Sequence, residues 1–431
     1  MSTNRLDQFL PDLEWRGLLH QVTSDDLRAK LAAEPVTAYI GFDPTAASLH
    51  IGSLLQVLGL VRLQRAGHKP IAVVGGGTGL IGDPSGKTAE RQLLTREKLD
   101  FNVAGIRKQL EQYLDFDGPC AAKLVNNADW LCNIGFIDFL RDIGKHFSVN
   151  SLVARDSVKL RLEAREQGMS FTEFSYVLLQ AYDFLELYDR HGCTLQVGGS
   201  DQWGNIVDGA DLIRRMRGAS AWGLTQPLVT KSDGSKFGKS EGGNVWIDAD
   251  LTPPYVFYQY WLNASDDDVK KYLRYFTLMG REQIEALDAE VANNPSGRAA
   301  QKTLADEVTK LVHGEAGVAE AKRATAALFG DGDLRALSAQ ELERALAGVP
   351  SVEFPREKLG TPEASLASML AVARLAPSKG QARTLITGGS LRVNGEKRDQ
   401  PEQVLTGEDV LGGGLIVLRK GKTYGVVRIE G

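Results

Sequence analysis

Two stretches of this 431-residue chain read strand, helix, strand, and each requires its two strands to run parallel. In the first, residues 37–42 (TAYIGF) form a strand. Ser48 then caps a helix from about 49 to 66, which Gly67 ends, and residues 70–74 (PIAVV) form the next strand. In the second, 193–199 (CTLQVGG) is a strand, 201–217 a helix and 227–230 (PLVT) a strand. No tight turn joins parallel strands, so helices must cross the sheet. Together the units predict an α/β chain built on a Rossmann-like, doubly wound nucleotide-binding domain, with ligands outside the C-terminal ends of the strands.

Punctuation along the chain sets the expected domains. The Rossmann-like domain is placed at 1–248, with a helical insertion at about 86–192. An α-helical domain follows at 249–347, and Pro350, Pro355 and Pro362 mark a linker at 348–364. A small α+β segment closes the chain at 365–431, with turns at Asn394-Gly395 and Gly421. That segment carries 10 Lys/Arg against 6 Asp/Glu in a chain of net charge −5. A local cationic excess in an acidic chain suits an RNA backbone, and Lys379, Arg383, Arg392, Lys397 and Arg398 lie close together in it. Three scattered cysteines support neither a disulfide framework nor a zinc site, and no metal site is expected. The start MSTNRLDQFL has no apolar signal core, and no apolar run approaches the roughly 20 residues that span a bilayer. The expectation is a cytoplasmic protein with no membrane partner.

The run 75–88, GGGTGLIGDPSGKT, follows the 70–74 strand and carries two overlapping nucleotide patterns. Gly77, Gly79 and Gly82 match the G-x-G-x-x-G of dinucleotide sites, while 82–88 resembles a phosphate loop. A phosphate loop needs four residues between its glycines so that successive N–H groups wrap the phosphates. Only Asp83, Pro84 and Ser85 separate Gly82 from Gly86, and Pro84 has no N–H to give. The dinucleotide pattern places its third glycine inside the helix that the loop opens. Here Asp83-Pro84 follows that glycine and reads as an N-cap and first helical residue. Dehydrogenase and NTPase readings both weaken. A glycine-lined turn that ends in a carboxylate, Asp83, survives.

Three further features carry chemistry. In 169–188, Ser170 and Glu173 form a capping box, and Tyr176, Gln180 and Asp183 fall at i, i+4 and i+7 on one face of a mostly apolar helix. A carboxylate buried there needs a partner, so the row is either packed against a neighbouring helix or the wall of a polar ligand pocket. His50 falls in the first turn of the first crossover helix, where N–H groups and the helix dipole favour an anion, and Gly52 leaves room for a flat ring. The loop 231–246, KSDGSKFGKSEGGNVW, sets Lys231, Lys236 and Lys239 among glycines and serines. It is either a solvated surface loop or a mobile cationic lid over a polyphosphate.

HIGS (50–53) and KFGKS (236–240) resemble the two signature motifs of class I aminoacyl-tRNA synthetases. With GFDPTAASLHIGS, GDPSGK, FSYVLLQAYDF and GGSDQWGN in the same order, the chain closely resembles the bacterial tyrosyl-tRNA synthetases. The C-terminal segment resembles the small RNA-binding domain that this family shares with a ribosomal protein. The resemblance implies an enzyme that activates L-tyrosine with ATP and transfers it to tRNA(Tyr), working as a homodimer, with Mg²⁺ accompanying ATP and no bound organic cofactor. It implies that Tyr39 and Asp183 bind the phenolic hydroxyl, and that Asp83, Tyr176 and Gln180 hold the ammonium group. Gly41, Asp43, Thr45, His50 and Gly52 would meet ATP, with Thr45 and His50 at its phosphates and Gly52 under the adenine. Asp201 and Gln202 would face the ribose and carboxylate region. Lys236, Lys239 and Ser240 would cover pyrophosphate, with Lys87 and Arg91 assisting.

Two departures stand out. The first motif ends in Ser53 rather than a second histidine, and the second has Phe237-Gly238 where Met-Ser is common. A carboxylate nucleophile needs no general base, which matches a chain without a Ser-His-Asp or Cys-His arrangement. Two other readings compete. A non-catalytic RNA-binding protein leaves both lysines and the Tyr176/Gln180/Asp183 row unexplained. A tryptophan-activating relative would make less use of Tyr39 and Asp183.

Overall fold

The computed structural model describes residues 6–85, 93–155, 158–159, 169–240, 243–329, 332–421 and 423–430. The chain divides into two compact units. One holds the chain through Lys239 together with Lys270–Ala286; the other holds Ser240–Val269 and the chain from Leu287 onward.

The first unit is built on a six-stranded sheet. Its strands are β1 (Gln21–Val22), β2 (Thr37–Phe42), β3 (Lys69–Val74), β4 (Lys123–Asn126), β5 (Cys193–Gly199) and β6 (Trp222–Gln226), in the order β1-β6-β5-β2-β3-β4. All neighbours pair parallel except β1 with β6. Five of the six residues of β3 are buried, as expected for a central strand covered on both faces. The chain runs from β2 outward through β3 to β4, then returns to place β5 on the other side of β2. The strand order therefore reverses between β2 and β5, and a crevice opens at their C-terminal ends.

The first crossover helix is Ile51–Arg65, two residues later than the sequence suggested. His50, not Ser48, is its N-cap. Ser48 instead takes a hydrogen bond from Gln109, 2.9 Å away, whose amide oxygen receives the Leu49 N–H at 2.8 Å. With its hydroxyl committed sideways, Ser48 leaves capping to the next polar side chain. Helix Phe171–His191 has the expected capping box from Ser170 and Glu173, and Gly192 ends it in the left-handed conformation. Helix Trp203–Arg217 packs beside it.

Three expectations need correction. The last strand of the second unit is Trp222–Gln226 rather than 227–230, because Pro227 has no N–H for a ladder. The insertion is not purely helical: β4 adds a strand to the sheet edge. Residues 348–364 are not a bare linker, since Ser351–Pro355 pairs parallel with Thr423–Glu430.

In the second unit, helices Pro254–Leu262, Arg281–Asn293 (from Leu287), Ala299–Phe329 and Ala339–Ala345 precede a five-stranded sheet. A hairpin turns at Asn394-Gly395, where both residues have positive φ (49° and 89°), as expected for that dipeptide. Helices and sheet share one apolar cluster, in which Tyr255, Ala324, Leu328 and Leu342 meet Leu415, Val417 and Val426. The 365–431 segment therefore does not bury its apolar surface alone.

Candidate active site

A cavity of about 330 Å³ opens at the reversal point of the sheet. Tyr39, Gly41, Asp43, Thr45, His50, Gly52, Asp83, Tyr176, Gln180, Asp183, Asp201 and Gln202 all line it, with Ser53 and Gln56. They come from β2 and the turn after it, the start of Ile51–Arg65, the glycine turn after β3, the middle of Phe171–His191, and the turn after β5. Every tyrosine- and ATP-site candidate outside the KFGKS loop thus reaches one crevice, apart from two. Lys87 and Arg91 lie outside the described residues, as does the helix expected after Asp83-Pro84.

At one end of the cavity, Asp183 is 4% exposed. The Asn127 amide donates to one of its oxygens at 2.9 Å, and the Trp130 indole N–H donates to the other at 2.7 Å. Burial nevertheless outweighs these bonds and raises its pKa to about 7. Tyr39 is equally buried, and its hydroxyl has no hydrogen-bond partner among the described residues. Burial, followed by the nearby Asp183 charge, holds the Tyr39 phenol well above its ordinary range.

A second cluster surrounds Tyr176. Its hydroxyl donates to Asp43 at 3.2 Å, and Thr78 donates to the other Asp43 oxygen at 3.1 Å. Burial raises the Tyr176 phenol most, with Asp43, Asp83 and Asp183 adding their charge. Three carboxylates therefore converge on this part of the crevice, a potential suited to a cation. Asp83 accepts from the Ser85 N–H at 2.8 Å and from the Gln202 amide at 2.8 Å. Asn205 donates to Gln180 and Gln202 at 3.0 and 3.1 Å, which locks the neighbouring amides.

The glycine run has a packing reason. A Cβ at Gly75 would stand 2.5 Å from the Asp43 carboxylate and 2.6 Å from the Thr78 hydroxyl, so only glycine lets this turn pass behind Asp43. The turn is pinned from the far side, where Asn126 and Asn127 accept the N–H groups of Gly76 and Gly77. At Gly52, a Cβ would lie 2.7 Å from the His50 ring. The space that the sequence reading reserved for a ligand ring is needed first by His50 itself. The His50 Nδ1 accepts the Ser53 N–H at 3.2 Å.

Lys236 and Lys239 are exposed on the loop and do not line the cavity. The side chain of Ser240 lies outside the described residues. In the other unit, Lys379, Arg383, Arg392 and Lys397 are exposed, and Arg383 pairs with Glu402. Arg398 is half-buried and bonded to Glu396 and Asp409, so part of its charge is spent within the domain.

Sequence reasoning missed Asn127, Trp130, Thr78 and Asn205. The first two sit in NNADWL (126–131), directly after a strand that was itself missed, so the adjacent asparagines had no strand end to be placed on. Among the described residues no group of three or more His, Cys, Asp or Glu side chains forms a metal site. No described helix is long and apolar enough to cross a membrane.

Residues 31–330 match the profile of the family described as tRNA synthetases class I (W and Y), and 341–427 match the tyrosine–tRNA ligase SYY-like C-terminal domain. The chain is 53% identical to a tyrosine–tRNA ligase of Roseiflexus castenholzii, over 97% of this chain and 99% of that one. It is also 53% identical to one from Geobacillus stearothermophilus, over 96% and 97%. Among solved structures it is similar to a C-terminally truncated mitochondrial tyrosyl-tRNA synthetase of Aspergillus nidulans, with TM-score 0.66 and 31% identity over 73% of this chain and 92% of that one. An Archaeoglobus fulgidus tyrosyl-tRNA synthetase, 19% identical with TM-score 0.53 over 71% of this chain and 98% of that one, shares the fold. With both of its domains matched and about half of its residues shared with such relatives along nearly its whole length, the chain belongs to the tyrosine–tRNA ligase family of class I tRNA synthetases.

Proposed function

We propose that the crevice activates L-tyrosine with ATP, forming tyrosyl-adenylate and pyrophosphate, and that the chain then transfers tyrosine to the 3′ end of tRNA(Tyr). The observation that carries the choice of amino acid is the buried pair of Tyr39 and Asp183. A substrate phenol accepts from the Tyr39 hydroxyl, which has no partner among the described residues, and donates to a remaining lone pair of Asp183, whose oxygens already take one donor each from Asn127 and Trp130. Asp83, Tyr176 and Gln180, with Asp43 accepting from the Tyr176 hydroxyl, receive the ammonium group. An indole has no hydroxyl to offer the pair, which disfavours tryptophan.

The substrate carboxylate is itself the nucleophile, so the protein's work is positioning and charge stabilisation. Thr45, His50 and the N–H groups opening the Ile51–Arg65 helix receive the ATP phosphates, alongside Gly41, Asp43 and Gly52. Asp201 and Gln202 orient the ribose and carboxylate region. Lys236, Lys239 and Ser240 close over the leaving pyrophosphate, and Lys87 and Arg91 assist there. Mg²⁺ enters with ATP as its counter-ion. Lys379, Arg383, Arg392, Lys397 and Arg398 bind the tRNA backbone, with Arg398 contributing least because of its internal ion pairs. The enzyme works in the cytoplasm as a homodimer. Exposure of Phe136, Ile137, Leu140, Val149 and Val153 supports a covering surface between 136 and 153.

The test is adenylate formation with tyrosine and with phenylalanine. Asp183→Ala removes a charged hydrogen-bond acceptor, about 1.5–3 kcal/mol, and lowers the tyrosine-to-phenylalanine ratio of kcat/KM by roughly ten- to a hundredfold. Tyr39→Phe lowers it less. Unchanged ratios in both variants would place the phenol elsewhere.

A further inference from the structure

In the KFGKS loop, the Phe237 side chain packs against the body of its unit. Thr230 and Lys236 form an antiparallel bridge at its base, and Lys236 and Lys239 point outward. Between them Phe237 turns inward. Its ring stacks on Phe276 with centroids 5.2 Å apart and planes 13° from parallel, and it meets Tyr272 at 5.2 Å and 60°. Tyr272 and Phe276 belong to the last turns of helix Asp266–Phe276 and are 3% and 0% exposed.

That platform is tied to the first signature motif. Arg62, on the helix that His50 caps, donates to the carbonyls of Tyr275 at 2.7 Å and Thr277 at 3.0 Å. Arg16 donates to those of Arg274 at 3.0 Å and Met279 at 2.8 Å. Two guanidinium groups thus hold the carbonyl end of the helix that carries Phe276, where the helix dipole favours positive charge. Gly238, next to Phe237, has φ +83°, and a Cβ there would lie 3.6 Å from Ile51 Cγ1 and 3.9 Å from the Gly52 nitrogen. The loop backbone therefore already abuts the first turn of the phosphate-site helix.

We infer that Phe237 is a positioning residue, whose docking on Tyr272 and Phe276 sets where Lys236 and Lys239 stand relative to the first turn of the Ile51–Arg65 helix. Asp233 ties the turn to itself by accepting the Ser235 N–H at 2.8 Å, whereas Phe237 is the large apolar side chain between the two lysines. Removing the anchor lets both lysines wander, and the loss falls on a transition state that needs them placed. Phe237 touches no substrate in this role and acts through its neighbours. The inference rests on the assignment of the two lysines to pyrophosphate.

The test compares pyrophosphate exchange in Phe237→Ala, Phe237→Met, Phe276→Leu and the Lys236→Ala/Lys239→Ala pair, the last with and without Phe237→Ala. Tyrosine binding is measured by equilibrium dialysis without ATP. Phe237 is a half-buried loop residue, so its removal leaves the fold intact, and Phe276→Leu keeps the core filled. Phe237→Ala and Phe276→Leu are expected to lower kcat about ten- to a hundredfold, with tyrosine affinity unchanged. Phe237→Met recovers most of the rate. In the background without the lysines, Phe237→Ala adds less than about a twofold loss, because its effect runs through side chains no longer there. A slow lysine variant beside a normal Phe237→Ala overturns the anchor alone, as does a full repeat of the loss in the lysine-free background. Normal exchange without the lysines overturns their assignment, and the anchor with it.

Discussion

Asp183 should make the unliganded enzyme lose stability as pH rises from about 4 to about 7. Its folded pKa is raised from 3.8 to about 7, chiefly by burial. Across that window the folded protein retains a proton that the unfolded chain has released, so the unfolded state gains on the folded one as pH climbs. Three units at 1.36 kcal/mol each put the effect on the order of 4 kcal/mol. Asp183→Asn removes the titration. Asparagine brings its own cost, since one of its N–H groups must face either Asn127 or Trp130, but that cost does not vary with pH. The quantity to follow is therefore the melting temperature of the variant minus that of wild type, without tyrosine. It should climb by roughly 10 °C between pH 4 and pH 7.5 and then level off. If the phenol sits on Asp183 as proposed, tyrosine should reduce the wild-type slope by favouring the ionised carboxylate, and its binding near pH 7 should release a proton detectable by calorimetry in buffers of different ionisation enthalpy. Parallel melting curves for the two proteins across the window would refute a buried, proton-holding Asp183.

Lys236→Ala and Lys239→Ala should slow adenylate formation while leaving tyrosine affinity without ATP unchanged, as single-turnover kinetics and equilibrium dialysis will separate. Deleting 348–431 should leave pyrophosphate exchange near normal and abolish efficient tRNA charging. It should also lower the melting temperature of the 254–345 helices, because Leu328 and Leu342 lose their cover from Leu415 and Val417; an unchanged melt would contradict the shared core. Binding of tRNA should weaken steeply with salt, and Lys379→Ala should flatten the log–log slope by about one, whereas Arg398→Ala should flatten it less. Sedimentation equilibrium should give twice the 46.9 kDa chain mass, and Phe136→Asp with Ile137→Asp should shift it toward monomer.

Much of the crevice was legible because it is local. Tyr176, Gln180 and Asp183 lie on one helix face by period alone, and the capping box marks where that helix starts. The β2 strand was legible to the residue because 37–42 is a short, mostly apolar run between Pro35-Val36 and Asp43-Pro44. What stayed hidden depends on pairs distant in sequence. Asp183 finds its donors 53 and 56 residues away, at Trp130 and Asn127. Ser48 lost its expected capping role to a glutamine 61 residues away. The strand at 351–355 has no signal of its own beyond its bounding prolines; it exists because Thr423–Glu430 offers an edge.

The cap on the Ile51–Arg65 helix also settles a question of proton bookkeeping. His50 takes the Ser53 N–H on Nδ1, so in the neutral ring the remaining proton sits on Nε2. The histidine is thereby tautomer-selected as a donor from its outer nitrogen, before any nucleotide arrives. Because the backbone of residue 53 makes this selection, the side chain there is irrelevant to it. A serine in place of a second histidine keeps the backbone N–H that the His50 ring accepts, whereas proline at 53, with no N–H to give, would remove that bond.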